Sequence, residues 1–272
     1  MGAAVGAALT ARGETVQWLP SGRSEATRAR ASRAGLVVVD DLGSLTTSSD
    51  VVVSVVPPEA ALATAREVVA SGCPAVYLDA NAIAPSTARV IAGLVTECGG
   101  TFVDGGIVGG PPRAPGETRL FVSGPRAAVI AGLFEGSSFD AVCLGDAIGS
   151  ASAVKTAYAA YTKGGGALLT AVRAYARAEG VELELLAEWA RSQPGLEARS
   201  ESTARSHAPK AWRFEGELRE IATAFDDAGV PGGFFAAGAE LSNRLGAFKD
   251  ADAPEPDEVF DAVRRDRPAE PT

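Results

Sequence analysis

The sequence is poor in the residue types that bind metal ions. It contains a single histidine, His207, and three cysteines, Cys73, Cys98 and Cys143, which are widely spaced and form no C-x-x-C pair. Because a conventional zinc site needs about four such ligands at short spacing, the sequence predicts no metal centre. The lack of a recognisable cysteine framework is typical of a protein from a reducing cytoplasm.

Basic residues and long apolar runs are scarce as well. Lysine and arginine total 25 against 34 acidic residues, for a net charge of -9, so we expect no basic surface for nucleic acid. No apolar run reaches the roughly 18 residues of a membrane helix, and no basic-then-apolar leader opens the chain. These absences predict a cytoplasmic protein that binds neither nucleic acid nor membrane.

The first half of the chain alternates between strand and helix patterns. Short β-branched runs predict strands at 15–19, 36–39, 51–55, 75–78, 101–103, 120–123 and 141–144. Small-residue segments between them predict helices at 3–12, 24–34, 59–70, 86–98 and 125–135. This alternation is typical of a parallel sheet with helices on both faces. We therefore predict an α/β domain of Rossmann type over residues 1–148.

The pattern changes after Gly149. An alanine-rich stretch from 151 to 180 is interrupted only by Gly164–Gly166, and no strand signal follows it. Further helices are predicted at 182–192, 196–205, 214–228 and 234–248, which gives an all-helical domain over 149–250. The segment 251–272 places four prolines among charges and is predicted to be a disordered tail.

The start of the chain departs from the usual Rossmann pattern. Such a domain ordinarily begins with a buried strand that feeds a G-x-G-x-x-G turn, whose third glycine lies inside the first helix. Residues 1–6 resemble only the end of that turn and the helix behind it. Either the start was assigned about ten residues too late, or the central strand is truly missing. We favour the first, because losing a doubly buried strand would expose unpaired backbone groups.

The loop after the second predicted strand contains Ser21, Arg23 and Ser24 and no acidic residue at the strand's end. In dinucleotide folds an acidic residue there binds the 2′-hydroxyl of NAD, whereas arginine and small hydroxyls suit the 2′-phosphate of NADP. The loop therefore favours NADP, with Arg28 as a second candidate cation. The alternative is an ordinary turn in which Ser24 only caps a helix.

Two more strand-to-helix loops are candidate cofactor contacts. The strand from Val51 runs into Val56-Pro57-Pro58, at the carboxyl end where such sheets bind ligands. Asn81 follows the next strand and offers an amide that both donates and accepts near a nicotinamide. The alternatives are a proline pair that merely ends a strand and an Asx turn ahead of a helix.

Five segments occur in the order and spacing of the β-hydroxyacid dehydrogenase group, which includes 6-phosphogluconate and 3-hydroxyisobutyrate dehydrogenases. They are Met1-Gly2, the turn at Val56–Pro58, Asp79–Pro85, Val103–Gly110 and Lys155. The resemblance implies NAD(P) binding by the first domain, with Gly2 and Ala3 at the cofactor. It also implies a long interdomain helix, an all-helical second domain, and a homodimer whose partner helps to close the site.

Lys155 matches the lysine that acts in this family as general acid/base toward the substrate oxygen. Moving a hydride to or from carbon requires a proton to move on the neighbouring heteroatom, and a lysine can supply it. The alternative is a solvated helix lysine. Lys163, two turns later, is a second candidate.

Two departures from the family pattern bear on the substrate. Val108 stands where the family has a serine, and Ala159 where it has an asparagine. Both changes remove donors that recognise hydroxy acids, so we expect a bulkier or less anionic substrate. Further candidate substrate contacts are Gly109, Gly110, Tyr158, Tyr161, Lys163, Trp212, Arg213, Phe214 and Glu217.

Several of these residues have ordinary structural interpretations too. Trp212 and Phe214 can be core residues, and Arg213 a surface partner of Glu217 at helical spacing. His207 is interpreted as a loop residue. The leading hypothesis is an NADPH-dependent oxidoreductase acting on a small carbonyl or hydroxy compound. The alternatives are an imine reductase, which commonly lacks such a lysine, and a non-catalytic dinucleotide-binding protein.

Overall fold

The computed structural model describes residues 1–264, and the chain divides into two compact units between Tyr158 and Ala159. The N-terminal unit contains seven strands: β1 Gln17–Trp18, β2 Val37–Val38, β3 Val52–Ser54, β4 Val76–Asp79, β5 Thr101–Val108, β6 Thr118–Ser123 and β7 Phe139–Cys143. Its helices are α1 Gly2–Thr10, α2 Glu25–Arg33, α3 Leu42–Ser48, α4 Pro58–Ser71, α5 Pro85–Glu97, α6 Ala127–Leu133 and α7 Ser150–Ala159. The predicted Rossmann-type sheet domain is confirmed.

The strands form two sheets. Strands β1 and β2 pair with each other in parallel, and β3, β4, β5, β6 and β7 form a five-stranded sheet in that order. All pairs are parallel except β5–β6, which is antiparallel.

Helices cover both faces of the five-stranded sheet, as the alternating pattern predicts. On one face Val5 and Leu9 of α1 and Ile130 and Phe134 of α6 pack on Val103. On the other face the small and branched side chains of α4 and α5 pack around Tyr77 and Phe102. Each strand of this sheet buries apolar side chains on two sides, which is why β3 and β4 read as nearly continuous apolar runs.

Strand β5 is longer than predicted. The segment expected to be a glycine-rich loop continues the strand to Val108, and Gly105 and Gly106 lie inside it. A Cβ on Gly105 would come within 2.7 Å of the Asp79 carbonyl, and one on Gly106 within 2.5 Å of the Ala151 carbonyl. These glycines therefore permit close backbone approach on both sides of the sheet rather than a turn.

The C-terminal unit is helical in the described residues, as predicted. It contains a π-helical turn at Ala160–Gly164 and the helices α8 Gly165–Ala178, α9 Glu182–Ser192, α10 Leu196–His207, α11 Ala211–Asp227, α12 Gly233–Arg244 and α13 Pro256–Ala262. The expected interruption at Gly164–Gly166 is absent, because the helix continues through the π-turn. A Cβ would clash with the Phe235 ring at Gly164 and with the His207 ring at Gly166, so both glycines admit aromatic rings.

The predicted disorder of 251–272 is wrong for the part that the structure describes. Helix α13 buries Val259 and Phe260 completely against α8 and α10. The Arg173 guanidinium lies 4.6 Å from the centre of the Phe260 ring, and Arg177 pairs with Asp257 and Asp261. Two apolar residues were too few to register as a helical pattern. Residues 265–272 of the predicted tail lie outside the described residues.

Cys73 and Cys98, which follow α4 and α5, are joined in a disulfide, and Cys143 is free and exposed. The wide spacing of the cysteines in the sequence gave no sign of this pair. No helix among residues 1–264 is long and apolar enough to cross a membrane.

Candidate functional site

Helices α2, α4 and α5 each begin just after the carboxyl end of a strand, and α1 begins beside them. An added Cβ on Gly2, the first residue of α1, would lie 3.8 Å from Val55 at the end of β3. No side chain caps the N-terminus of α1, α4 or α5. Backbone N–H groups at such helix starts attract phosphates. The sequence-predicted residues Gly2, Ala3 and Val56–Pro58 thus lie at one edge of the unit, which suits a dinucleotide.

Asn81 fixes the turn between β3 and α4. It is buried, its Oδ1 accepts a hydrogen bond from the Val56 backbone N–H at 2.6 Å, and its Nδ2 donates to the Ser54 hydroxyl at 3.0 Å. Pro57 and Pro58 then open α4. Both polar atoms of the amide thus bond within the protein, and one N–H remains available. Asn81 holds this turn in place, and its contact with a nicotinamide stays a prediction.

Asp79, the last residue of β4, holds the backbone of Asn81 in place. Its Oδ1 accepts a hydrogen bond from the Asn81 backbone N–H at 2.9 Å, whereas its Oδ2 is buried without a hydrogen-bond partner. Burial raises the pKa of the Asp79 carboxyl to about 7, with a further increase from Asp104 and an opposing effect from the Asn81 hydrogen bonds. This carboxyl was not singled out in the sequence, where it reads as an ordinary loop aspartate.

The predicted ribose loop between β1 and α2 is exposed. Gly22 has a φ of +69°, which forms the turn, and the Ser24 side chain caps α2 by accepting from the Thr27 backbone N–H at 3.4 Å. The Arg28 Nε donates to the Arg23 carbonyl at 3.3 Å and so braces the loop. The Ser24 cap matches the structural alternative, while the exposed Ser21 and Arg23 side chains leave the loop able to meet an anion.

Lys155 lies on α7, directly over strand β5. The Cβ that Gly106 lacks would be 2.9 Å from the Cβ of Lys155. Since alternate residues of a strand point to one face, Asp104, Gly106 and Val108 all face this helix. Val108, Gly109 and Gly110, which the sequence assigns to substrate contact, therefore continue from the point where β5 passes beneath Lys155.

A buried carboxylate fixes the N-terminus of α7. Asp104 is fully buried and accepts hydrogen bonds from the Gly149 N–H at 3.0 Å, the Ser152 N–H at 2.9 Å, the Ser152 hydroxyl at 2.5 Å and the Ser123 hydroxyl at 3.0 Å. The Ser123 hydroxyl in turn accepts from the Ala151 N–H at 3.1 Å. Asp104 thereby sets where Lys155, one turn further on, stands above Gly106. Sequence reasoning missed this role, although an aspartate inside an apolar strand was a visible signal.

In the C-terminal unit, Lys163 and Glu217 form a largely buried ion pair. Lys163 stands on the π-turn, 5.2 Å from the centre of the Phe214 ring, and the His207 ring packs edge-on against Phe214. Burial lowers the pKa of His207 to about 4, helped by Lys210 and Lys163, so its ring is neutral at physiological pH. His207 ends α10 and is mostly buried, which corrects its interpretation as a loop residue.

The other residues predicted in this unit separate into buried and exposed ones. Phe214 is a core residue, whereas Trp212 is 44% exposed, with the Lys249 ammonium 4.6 Å from its ring centre. Arg213 is exposed, and Glu217 pairs with Lys163 rather than with it. In the N-terminal unit, Tyr158 near the end of α7 is half exposed. No group of three or more potential metal ligands occurs in residues 1–264.

Two family models match parts of the chain. Residues 1–132, just under half of the 272 residues, match the family model described as the NAD binding domain of 6-phosphogluconate dehydrogenase. The N-terminal unit is therefore similar to this family, as the sequence predicted. Residues 176–245 match a second model, described only as a domain of unknown function.

One curated relative is an uncharacterised 28.5 kDa protein of Methanothermus fervidus. It is 31% identical over 154 residues, which represent 57% of this chain and 59% of the relative. The match thus spans less than two thirds of the archaeal protein, and it extends the resemblance without adding an activity.

Solved structures show the same fold over nearly the whole chain. A conserved protein of unknown function, described as structurally similar to 3-hydroxyacid dehydrogenases, is 26% identical, with a TM-score of 0.64 and coverage of 90% of this chain and 94% of its own. The Mycobacterium tuberculosis 3-hydroxyisobutyrate dehydrogenase is 17% identical, with a TM-score of 0.68 and coverage of 97% of this chain and 96% of its own. A reductive aminase of Aspergillus terreus, solved with NADPH and ethyl levulinate, is 21% identical, with a TM-score of 0.55 and the same coverage.

These comparisons confirm the predicted fold and show that the N-terminal unit is similar to an NAD binding domain. They carry no information on the substrate, since the structures below 25% identity share the fold alone.

Proposed function

We propose that the protein transfers a hydride between a nicotinamide dinucleotide and a small carbonyl or hydroxy compound, with Lys155 as the general acid/base. The observation that carries this proposal is the placement of Lys155. A lysine is held over the glycine pair of β5 by four hydrogen bonds that converge on one buried carboxylate. Hydrogen bonds that fix the position of one helical turn in this way are expected where a side chain must meet a reacting atom.

The residues present fit the dinucleotide. The uncapped start of α1 at Gly2 and Ala3 suits the pyrophosphate, and the Val56–Pro58 turn held by Asn81 forms the next wall. The cofactor supplies or accepts the hydride when bound. The Lys155 Nζ gives a proton to the substrate oxygen in reduction and takes it back in oxidation. We infer a preference for NADPH from Ser21 and Arg23, which present a hydroxyl and a cation where no acidic residue stands.

Val108 gives the substrate side of β5 an apolar end. Val108 ends β5 on the face below α7, and the loop beyond it is closed by the Thr118 hydroxyl, which donates to the Gly110 carbonyl at 2.5 Å. A valine cannot donate to a substrate carboxylate, so we infer a less anionic substrate than a simple hydroxy acid. The same feature supports reduction of an imine as a second candidate activity. Tyr158, Lys163, Trp212, Arg213 and Glu217 remain proposed substrate contacts.

Replacing Lys155 tests the proposal. We expect Lys155→Ala to lower kcat by about 100-fold or more, since general acid/base catalysis contributes on that order, while NADPH still binds. Turnover would be measured with a panel of aldehydes, hydroxy acids and cyclic imines, and binding by the fluorescence of NADPH.

The matched control is Lys210→Ala, which removes an exposed lysine of the other unit. Wild-type turnover by Lys155→Ala, with binding intact, would remove Lys155 from the mechanism. If the wild-type protein binds neither NADPH nor NADH, both the proposed function and the non-catalytic alternative are wrong, because each requires a bound dinucleotide. Activity confined to the cyclic imines would select the second candidate.

We also propose that the protein is a homodimer; the Cys73–Cys98 disulfide removes the cysteine argument for a reducing cytoplasm. The support for a dimer is a row of exposed apolar side chains on the π-turn and α8, which consists of Tyr161, Leu168 and Tyr175 at intervals of seven residues. Side chains at this spacing lie along one side of a helix, as at a helix–helix contact. Their number is unusual for a helix that faces water throughout its length.

A further inference from the structure

The disulfide joins two turns that occupy equivalent places in the N-terminal unit. Cys73 lies in the turn between α4 and β4, and Cys98 directly follows α5, in the turn that leads to β5. The two turns are in close contact apart from the sulfur atoms as well. A Cβ on Gly100 would clash with the Pro74 carbonyl, so only glycine lets the second turn lie against the first.

The backbone holds the two cysteines near each other independently of the bond between them. Directly after the turns, β4 and β5 pair in parallel with Val76 beside Thr101, and the Thr101 N–H donates to the Ala75 carbonyl at 3.0 Å. The Cα atoms of Cys73 and Cys98 are 5.7 Å apart, inside the usual disulfide range of about 4.4–6.8 Å. Because the strand pairing sets this distance, the reduced cysteines stay in place to form the bond again.

The two sulfur atoms differ in their access to solvent. Cys73 is exposed, whereas Cys98 is half-buried. A thiolate attacks a disulfide in line with the sulfur–sulfur bond, so attack at the Cys73 Sγ releases the Cys98 sulfur. The Cys98 Sγ lies 3.2 Å from the Val95 carbonyl, which can accept a hydrogen bond from the released thiol. Exposed disulfides are the ones that exchange readily with small thiols.

The disulfide lies at the opposite edge of the sheet from the candidate cofactor residues. It precedes the amino ends of β4 and β5, whereas Val56–Pro58 and Asn81 follow the carboxyl ends of β3 and β4. Helix α4 has 14 residues and is therefore about 21 Å long. Both α4 and α5 thus begin at the cofactor residues and end at the disulfide, so the bond can affect the helix ends without a contact at the site.

We propose that Cys73–Cys98 is a reversible redox site, at which a small thiol such as glutathione opens the bond through Cys73 and thereby lowers the stability of the N-terminal unit without changing its cofactor edge. This inference does not depend on the proposed function, because it uses neither the dinucleotide nor Lys155. The evidence for it is the exposed sulfur of Cys73, the strand pairing that keeps the cysteines together, and the distance of both from Asn81.

The exchange takes place in two steps. The first glutathione thiolate attacks the Cys73 Sγ, the disulfide bond breaks, and its electron pair goes to the Cys98 sulfur, which takes up a proton. The second thiolate attacks the glutathione sulfur of the mixed disulfide and releases Cys73, which also takes up a proton. Two glutathione thiols are thus oxidised to glutathione disulfide while the two cysteines are reduced. Exchange with glutathione disulfide reverses both steps.

Thermal unfolding measures the effect on stability. The disulfide closes a loop with a sequence separation of 25 residues, which restricts the unfolded chain. We expect reduced glutathione to lower the Tm by about 5–10 °C, the usual effect of opening a loop of this length in a unit of this size. A Tm that does not change when the bond is shown to be reduced would overturn the proposal.

Counting thiols shows whether the bond opens in the folded protein. The native protein is incubated with glutathione, freed of it, and then labelled with N-ethylmaleimide in denaturant. Since Cys143 is free, we expect one adduct by mass before reduction, three after it, and one again after treatment with glutathione disulfide. One adduct after reduction, or three throughout, would contradict the proposal. Peptide mapping of early samples should find glutathione on Cys73, and its presence on Cys98 would contradict the assigned point of attack.

Serine variants supply the matched controls. The double variant Cys73→Ser, Cys98→Ser should have the Tm of the reduced wild type and should not respond to glutathione. Cys143→Ser, which removes the remaining cysteine, should respond as wild type does. A loss of the response in Cys143→Ser would move the redox site away from Cys73. If the double variant does not fold, the comparison of oxidised with reduced wild type still decides.

Hydrogen exchange tests whether the effect stays away from the cofactor edge. After reduction, the amides in the last turns of α4 and α5 should exchange faster. The Val56 and Asn81 amides, which donate to the side chains of Asn81 and Asp79, should keep their protection. Faster exchange at these two amides would overturn the claim that the cofactor edge is unchanged.

Discussion

Asp104 shows how a buried charge can position a neighbouring side chain. A carboxylate at the start of α7 offsets the positive end of the helix dipole and satisfies N–H groups that the helix itself cannot. Its partners lie between 19 and 48 residues away in sequence, on β6 and α7. The position of Lys155 above β5 depends on this one side chain, because no other described carboxylate caps the helix.

We expect Asp104→Ala to destabilise the protein by about 3 kcal/mol or more. The change leaves several buried donors without an acceptor, and each such loss costs about 1–3 kcal/mol. Urea unfolding measures this difference. The matched control is Ser152→Ala, which removes one donor of the same cluster and should cost about 1 kcal/mol. A loss below about 0.5 kcal/mol for Asp104→Ala, the size of an ordinary surface change, would contradict the role given to this carboxylate.

The sequence located Lys155 but not the residues that hold it. Lys155 was found because its order and spacing along the chain match a known pattern. Asp79 and Asp104 owe their roles to strand register, which places Ser54, Asp79, Asp104 and Ser123 side by side. Register between distant strands cannot be read from one sequence, since a shift of one residue would turn each side chain to the other face.

At the scale of elements, the loop from β1 to α2 should determine which dinucleotide is preferred. We expect Arg23→Ala to weaken NADPH binding by about tenfold, because a charge-assisted hydrogen bond to a phosphate contributes about 1.5 kcal/mol. NADH, which lacks the 2′-phosphate, should bind as before. Fluorescence titration of both dinucleotides measures the ratio.

A matched control for this loop lies on the same helix. Arg33, exposed in the last turn of α2, is far along the helix from the loop, and Arg33→Ala should leave both affinities unchanged. Equal weakening of NADPH and NADH by Arg23→Ala would show that Arg23 stabilises the loop rather than reading the 2′-phosphate.

All seven strands were predicted from the sequence, and the run of β-branched residues is clearest at the parallel strand β3. Helix α3 was missed since its serines and threonines are poor helix formers, and it depends on the Asp41 side chain, which accepts from the Ser44 N–H at 2.8 Å. The extension of β5 through Gly105 and Gly106 was missed because glycine disfavours strands. The close approach of the Asp79 and Ala151 backbones explains why glycine is used here.

At the scale of the whole molecule, the helical unit has a row of exposed apolar side chains that a second copy of the chain can cover. Tyr161 and Tyr175 are each 67% exposed and Leu168 is 47% exposed. A second copy of the chain would bury these three large side chains. In a two-fold symmetric dimer both copies contribute the same patch, so the three side chains of each copy are buried. The row is confined to the π-turn and α8, so one helix from each subunit would form the centre of the contact.

We therefore expect the wild-type protein to have twice the 27.6 kDa mass of one chain in light scattering at micromolar concentration. Leu168→Glu should convert it to a monomer, because a charge at the centre of an apolar contact must be desolvated without a partner. The control is Val90→Glu, at an exposed apolar position on α5 of the other unit. It should leave the dimer intact. A monomeric wild-type protein would mean that the row serves another purpose, and a dimer that survives Leu168→Glu would place the subunit contact elsewhere on the chain.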